Sequence, residues 1–135
     1  MANNKTIPLA NDVLRYFLVP AMAAPARPTN LYLSLHTSNP GESGAATGEV
    51  SAGLGYTRQL ITFATESGGA TSNNNTPAFG PATASWGTVT YFGICYSATP
   101  GTADIKYYAP LTTSRLVNTG QSFTVAAGAI VGSED

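Results

Sequence analysis

The sequence predicts an all-β domain, an antiparallel β-sandwich of jelly-roll type, with one short helix near its N-terminus. From residue 31 onward, apolar residues recur with a period of two in five or six segments separated by turn-forming residues. No helical pattern separates consecutive segments, so parallel crossover units are excluded and the strands should pair antiparallel. The 135 residues suit one domain. We expect an arm with the helix and a connector in residues 1–30 and the sandwich in residues 31–135.

The helix is predicted over residues 11–19, NDVLRYFLV. Asn11 is a favourable N-cap, and Pro20 ends the helix. The apolar side chains recur at helical spacing, so they share one face that we expect to pack on the edge or mouth of a sheet. These side chains are Leu14, Phe17 and Leu18. The proline-rich residues 20–30 then form an extended connector.

The strands follow in order. In residues 31–36 three leucines alternate with Tyr32, Ser34 and His36, which predicts one apolar and one polar face. Residues 56–63, YTRQLITF, have strand-like composition. The most strand-like segment is GTVTYFGICYS, residues 87–97, which is apolar or aromatic on both faces and should be central. Further strands are predicted at 105–112 and 123–131, whereas residues 64–86 are mostly turns, with Pro77 and Pro81 limiting any strand there to an edge.

A long connection, residues 37–55, separates the first two strands and is rich in Gly, Ser, Ala and Thr. Closing such a loop costs only about 0.6 kcal/mol more than closing one half as long, so its length is tolerated. It lacks the residue types of a catalytic lid. We therefore expect a contact arm between copies of the chain, with Pro40 and Glu49 shaping its ends.

The charge content excludes several classes of function. Only 10% of the residues are charged, and the net charge is −1. The six basic residues are scattered, so no stripe could neutralise a row of phosphates, and nucleic-acid binding is not expected. We expect no signal peptide, no membrane segment, no metal and no cofactor. A surface with few ions is cheap to desolvate, which suits burial against other proteins.

Candidates for chemistry are few. The single histidine, His36, is expected to be exposed or interfacial and hydrogen-bonded to a nearby loop, and the single cysteine, Cys95, to be a small buried hydrophobe. A Cys95–His36 nucleophile pair is the enzymatic alternative, but no third residue orients the base. The acidic residues that precede or follow strands are expected to be solvated loop charges. These are Glu42, Glu49, Glu66 and Asp104.

The aromatic residues leave one binding alternative open. Trp86 and the pairs Tyr91-Phe92 and Tyr107-Tyr108 could form a platform on which a sugar stacks. Aromatic residues in strands are more often part of a core, and nothing pairs these with a polar constellation. We expect no enzymatic activity.

Three blocks of the sequence resemble a known family. They are LYLSLHTSNPGESGAATGEVSAGLGYTRQLITF, WGTVTYFGICYS and TGQSFTVAAGAI. In this order, over about residues 9–130, they are similar to a family of short virion proteins of tailed bacteriophages, described as tail-fibre-like or as jelly-roll head decoration proteins. Within the second block, Tyr96 and Ser97 stand where the family often has an Asp. The resemblance implies a structural role in the virion without catalytic residues.

The function predicted from the resemblance and the low charge is capsid decoration: a homo-oligomer, dimer or trimer, that bridges major capsid proteins on the outer surface of the head. The alternative is a tail-fibre or baseplate component that contacts the host surface, where a glycan could be bound. Arg58 could pair with Glu49 or with a partner carboxylate, the alternative being an ordinary exposed arginine. The predicted protein interface comprises Ile7, Leu14, Phe17, His36, Pro40, Glu49 and Arg58.

Overall fold

The structure, a computed structural model, describes residues 4–134 and confirms an antiparallel all-β fold with a single α-helix in that range. The elements, in chain order, are α1 (Ile7–Leu18), β1 (Leu31–His36), β2 (Gln59–Ile61), β3 (Ala70–Ser72), β4 (Ala78–Phe79), β5 (Gly87–Cys95), β6 (Ile105–Val117), β7 (Phe123–Thr124) and β8 (Val131–Ser133). A short 3-10 turn, Ala52–Leu54, lies in the long loop between β1 and β2.

The main sheet has four strands in the order β2-β1-β5-β6, all antiparallel. The segment predicted to be central is central, because β5 pairs with β1 on one side and β6 on the other. Leu33 lies opposite Ile94 and Leu35 opposite Phe92 in the β1–β5 register. The alternation of β1 thus fixes which face of the sheet carries its leucines.

In the second half of the chain, three antiparallel strand pairs are nested around a single turn. Strand β5 pairs with β6, β4 with β7, and β3 with β8, so the paired positions run outward from the turn at 96–104. The two outer pairs are only two and three residues long. The fold therefore has one four-stranded sheet and two short ribbons, which differs from the two four-stranded sheets of a jelly roll. The predicted last strand, 123–131, is divided into β7 and β8 by a turn that includes Gly128 at φ +80°.

The apolar core lies on the leucine face of the main sheet. Leu33 and Leu35 are fully buried there, in one apolar cluster with the aromatic side chains of Tyr56, Phe79 and Trp86. The Tyr56 ring stacks on Phe79, with 5.9 Å between centroids, and meets Trp86 edge to face at 5.7 Å. Such offset and edge-to-face pairs add stability beyond the burial of their area.

The opposite face of β1 is also buried. Ser34 and His36 have no exposed surface, so the expectation of an exposed or interfacial histidine was wrong. The reason is that the loop of residues 37–55 folds back along β1: the Val50 amide donates to the Leu35 carbonyl at 3.0 Å, and the Thr37 amide to the Gly48 carbonyl at 2.9 Å. The alternation of β1 separates apolar from polar side chains, and each set is covered by a different part of the chain.

The helix begins earlier than predicted, at Ile7 and not after Asn11. Pro8 lies in its first turn, where a helix needs no amide hydrogen and proline is favourable. The N-cap residue, Thr6, is fully buried, and its hydroxyl donates to the Ile105 carbonyl of β6 at 2.8 Å. The helix ends at Leu18, two residues before Pro20, close to the predicted end. Its N-terminus is therefore fastened to the edge of the main sheet.

A substitution at Gly93, within β5, would test how tightly the polar face of the main sheet is packed. A methyl group at Gly93 would lie 2.7 Å from Ser34 Oγ and 3.3 Å from His36 Nε2. Because both neighbours are fully buried, we expect Gly93→Ala to lower the free energy of unfolding by about 1–3 kcal/mol, measured by urea denaturation. The control is Gly132→Ala in β8, where the nearest atom is 3.8 Å away and little change is expected. Equal losses in the two variants would contradict this packing.

Candidate functional site

Arg58 lies at the centre of a buried ion cluster, which we define as Arg58, Glu49 and Asp104. The Arg58 side chain is completely buried, and all five of its N–H donors are used. Its Nε and Nη2 donate to the two carboxylate oxygens of Glu49 at 2.8 and 2.9 Å. Its Nη1 donates to Asp104 Oδ1 at 2.7 Å, and the two remaining bonds go to backbone carbonyls. These carbonyls belong to Ser97, at 3.0 Å, and Thr102, at 2.9 Å.

The two carboxylates are equally well paired. Glu49 also accepts the Tyr56 hydroxyl at 2.9 Å and the Gly101 amide at 2.8 Å. The second oxygen of Asp104 accepts two backbone amides of the turn between β5 and β6, those of Tyr96 and Ser97. The cluster therefore joins three separate segments: the end of the long loop, the entry to β2 and the β5–β6 turn.

The electrostatics of the cluster follow from this pairing. Burial alone would lower the pKa of Arg58, but the hydrogen bonds that it donates to Glu49 and Asp104, together with the attraction of nearby negative charge, outweigh burial and raise that pKa. Burial would likewise raise the pKa of Glu49, but the hydrogen bonds donated by Arg58 and Gly101 hold it below its usual value of 4.5. The ionised forms of Arg58 and Glu49 are therefore the ones that the fold stabilises. Removing one partner would leave an uncompensated buried charge.

A second polar group lies beside the cluster on the same face of the sheet. His36 Nδ1 is 2.8 Å from the Thr47 carbonyl and can only donate to it, so in the neutral ring Nε2 accepts from the Ser34 hydroxyl, also at 2.8 Å. Burial lowers the pKa of His36, against the opposing effects of the Thr47 carbonyl and Glu49, so the neutral form is favoured. Cys95 Sγ lies 3.3 Å from Ser34 Oγ.

This arrangement is inaccessible to a substrate. Ser34 lies between Cys95 and His36, and all three residues are fully buried. Burial raises the pKa of Cys95 to about 12, so the reactive thiolate is disfavoured. The prediction that Cys95 is a small buried residue is confirmed. Within residues 4–134, no group of three or more His, Cys, Asp or Glu residues could hold a metal ion.

The structure places four of the seven predicted interface residues inside the chain. His36, Pro40 and Arg58 are buried, and the Glu49 side chain is 3% exposed, so none of them can form part of a surface. Their interface role was wrong, because they are buried within the chain itself. His36, Glu49 and Arg58 make hydrogen bonds that fasten the long loop to its own domain. The pairing of Arg58 with Glu49 is confirmed.

The expectation of solvated carboxylates is correct for Glu42 and Glu66, which are exposed, and wrong for Glu49 and Asp104. Sequence reasoning also missed that Tyr56 donates a hydrogen bond to Glu49 in the cluster. The available signal was the alternation Tyr56-x-Arg58 at the entry to a strand in a chain with few charges.

The remaining predicted residues lie on an exposed part of α1. We call this the α1 surface and define it by its large exposed apolar side chains, with the exposed fraction of each: Ile7 55%, Leu14 52%, Tyr16 60%, Phe17 72%, Leu18 71%, Val19 40% and Met22 52%. Large exposed apolar side chains concentrated in one part of a soluble protein mark a candidate interaction site.

The orientation of α1 differs from the prediction. Leu9 is the buried residue of the helix, whereas the face of Leu14, Phe17 and Leu18 points away from the sheet. The helix is held near its start, by the Thr6 hydrogen bonds, by Leu9, and by a 4.0 Å ion pair between Lys106 and Asp12. The large apolar side chains of its second half are left exposed. No helix among the described residues is long and apolar enough to cross a membrane.

Trp86 and the pair Tyr91-Phe92 do not form the sugar-stacking platform that the sequence left open as an alternative. Trp86 is 5% exposed, its ring packs on Tyr56, and its indole N–H donates to the Leu54 carbonyl at 2.8 Å. Tyr91 and Phe92 are consecutive in β5 and thus point to opposite faces of the sheet.

Comparison with known proteins places the whole domain in one family. Residues 6–133 match the sequence model of a family described as Podophage GP4 fiber I protein gp80. The match extends from the N-cap of α1 to β8, and so it includes both the ion cluster and the α1 surface. No curated protein matches the chain.

The ion cluster predicts a large loss of stability on removal of its cation. We expect Arg58→Leu to lower the free energy of unfolding by about 3–5 kcal/mol, because Glu49 and Asp104 would stay buried without a counter-charge. Urea denaturation measures the change. The control, Arg27→Leu, alters an exposed arginine and should stay within about 0.5 kcal/mol of the parent chain. A small effect at Arg58 would show that the cluster is not what holds the three segments together.

Stability should also fall in two steps as the pH is lowered. The unfolded chain binds a proton at His36 near pH 6.5 and the folded chain only at lower pH, so the contribution of His36 is complete above 6.5 and is lost below it. The contribution of Glu49 is complete above 4.5 and is lost as the pH falls through its lower folded pKa.

Urea denaturation at a series of pH values separates the two steps. His36→Gln should flatten the dependence of the unfolding free energy just below pH 6.5, and Glu49→Gln should flatten it below pH 4.5. A pH profile that neither substitution changes would rule out both groups as its source.

Proposed function

The chain belongs to the Podophage GP4 fiber I protein gp80 family, and from this premise we propose that it is a structural component of a fibre of a short-tailed phage particle. The family is one of bacteriophage structural virion proteins, and its description names a fibre. The observation in the molecule that carries the proposal is the α1 surface. A structural subunit needs a stable domain and an exposed surface for attachment, and this chain has both.

The role we propose is assembly and not catalysis. The residues that could perform nucleophilic or acid–base chemistry are the ones that the long loop covers, and they are hydrogen-bonded to one another or to backbone atoms. Every buried side-chain nitrogen or oxygen atom in the described part of the chain has a hydrogen-bond partner. Buried polar groups that are satisfied in this way make a domain rigid and are not free to react with a substrate.

A second candidate is the decoration of the capsid, in which a homo-oligomer of the chain would bridge major capsid proteins on the outside of the head. The low charge favours it: with 10% charged residues, a large part of the surface can be buried against other proteins without stripping water from ions. The fibre is the first candidate because the family description names it.

Receptor binding is the less favoured role within a fibre. A host-surface glycan would be the natural partner of a fibre tip, but Trp86 lies in the core and the neighbouring strand aromatics point to opposite faces. The apolar α1 surface suits another protein better than a sugar, since sugars need polar groups beside an aromatic ring.

Copy number in the particle discriminates the two candidates. We expect quantitative mass spectrometry of purified virions to find the chain at a small multiple of three or six copies, as the symmetry of a tail requires. Immunogold labelling should place it on fibres. Hundreds of copies with label over the head would instead establish decoration, and absence of the chain from purified particles would contradict both.

A further inference from the structure

The outer edge of β6, on the side away from β5, is free along the second half of the strand. The start of this edge is covered, since the Tyr108 amide donates to the Asn4 carbonyl at 2.9 Å. Beyond Tyr108, no strand of residues 4–134 pairs with it. Pro110 has no amide hydrogen and limits pairing at its own position, but residues 112–116 are all exposed. The backbone amides and carbonyls of such an edge can pair with a further strand.

A cavity lies beside this free edge. The register of β5 and β6 shifts there: Tyr91 lies opposite Pro110, whereas Val89 lies opposite Arg115. Between these two pairs β6 has four residues and β5 has one, so β6 bulges and the ladder is interrupted. The bulge and residues of the segment 123–130 line a cavity of about 230 Å³.

The interior of the cavity is apolar. Leu33, Leu35 and Phe92 line it from the main sheet. Its exposed lining residues belong to β6 and to the segment 124–129, so the cavity opens at the β6 edge. An apolar cavity of about 150 Å³ is large enough to hold a benzene molecule. A volume of about 230 Å³ therefore gives room for one aromatic or branched aliphatic side chain.

Arg115 gives the opening of the cavity a positive charge. Its guanidinium group lies 5.4 Å from the centroid of the Phe123 ring, and its Nη2 donates to the Ser122 carbonyl at 3.0 Å. No carboxylate of residues 4–134 forms an ion pair with it. Because a guanidinium group has five N–H donors, Arg115 has donors left for a carboxylate of a partner.

We propose that the free edge of β6 binds an extended segment of another protein, with one large apolar side chain in the cavity and a carboxylate beside Arg115. This inference goes beyond the proposed function, which assigns attachment to the α1 surface, and does not depend on it. In this mode of recognition, main-chain hydrogen bonds provide affinity and the pocket for a side chain provides specificity.

The geometry of a sheet gives the spacing of the two side chains. A strand added to an edge lies about 4.8 Å from it, and its alternate side chains point to the same face of the sheet. Arg115 lies opposite Val89, which is buried in the apolar core, so both residues belong to the core face. The apolar side chain and the carboxylate of the partner should therefore be two residues apart.

A second copy of the chain does not offer such a segment among its described residues. The acidic residues outside the ion cluster lie in a helix or in loops, or are already paired. Asp12 is in α1, Glu42 and Glu66 are in loops, and Glu134 is 2.8 Å from Lys5. The partner is thus a different protein, in which a large apolar residue and an acidic residue alternate in an extended segment.

The probe is a terminally blocked peptide of nine residues, all Thr except for a central Phe and a Glu two positions to either side. The two Glu residues place a carboxylate near Arg115 in either strand direction. We expect the chain to bind this peptide with a Kd below about 1 mM, measured by isothermal titration calorimetry. Replacing the Phe by Ala should weaken binding about tenfold. Replacing both Glu residues by Lys should weaken it roughly threefold, the scale of an exposed ion pair.

Two variants of the chain test the site itself. Arg115→Glu should weaken binding of the Glu peptide roughly threefold and strengthen binding of the Lys peptide by a similar factor. Its control is Arg27→Glu, at an exposed arginine of the connector. Ala129→Phe should fill the opening of the cavity and weaken binding about tenfold. Its control is Ala127→Phe, because Ala127 is exposed beside the cavity but does not line it.

Amide hydrogen exchange, followed by NMR, locates the bound peptide. Exchange in residues 111–116 should become slower, and exchange in residues 20–30 should not change. Absence of saturable binding at about 5 mM peptide would overturn the inference, as would equal binding of the Phe and Ala peptides. Protection of residues 111–116 that rises with the concentration of the chain alone would identify a second copy as the partner and refute this choice. Because the peptide substitutions leave the chain unchanged, the test still decides if Arg115→Glu or Ala129→Phe fails to fold.

Discussion

The fold depends on the burial of one guanidinium group. Arg58 donates all five of its hydrogen bonds to groups from the long loop and from the β5–β6 turn, which are 9 to 46 residues distant along the chain. A planar fork of donors suits this arrangement because it can hold a bidentate carboxylate and further acceptors at once. The fully buried cation fixes the position of the loop, and the loop in turn covers His36 and Ser34.

The two sides of the molecule therefore differ in what they expose. The polar face of the sheet, whose residue types could in principle perform chemistry, is closed by residues 37–55 and is fully hydrogen-bonded. The N-terminal helix leaves its apolar side open. Interior polar contacts make the domain rigid, and the exposed helix is the surface to which we assign assembly under the proposed function. This division agrees with the structural role that family membership implies.

Much of the fold follows from local patterns in the sequence. The alternation in β1, the apolar run of β5 and Pro20 after the helix are short-range signals. The first two predict their strands correctly, and Pro20 predicts where the helix ends, though not where it begins. The pairing of Arg58 with Glu49 was also among the alternatives that the sequence offered, since the two opposite charges lie nine residues apart in a chain with few charges. The boundary at Gly128 was missed, because the apolar residues on both sides of it continue the strand pattern.

The rest depends on contacts that no local pattern specifies. Alternation shows that His36 lies opposite the leucines but does not show that a loop will cover it. Asp104 joins the ion cluster from a turn 46 residues away, and only the register of β5 and β6 brings it there. Helical spacing shows that Leu14 and Phe17 share a face, but the attachment of the first turn to β6 decides that this face points outward.

Hydrogen–deuterium exchange, measured on the free chain and on the same chain in purified virions, tests most directly whether the helix is the attachment surface. Exchange reports the local opening of backbone hydrogen bonds and the protection that a partner adds. The amides of residues 7–22 should become strongly protected in the particle, whereas those around Arg58 should be slow in both states. Unchanged exchange in residues 7–22, with new protection appearing in residues 37–55, would contradict this assignment.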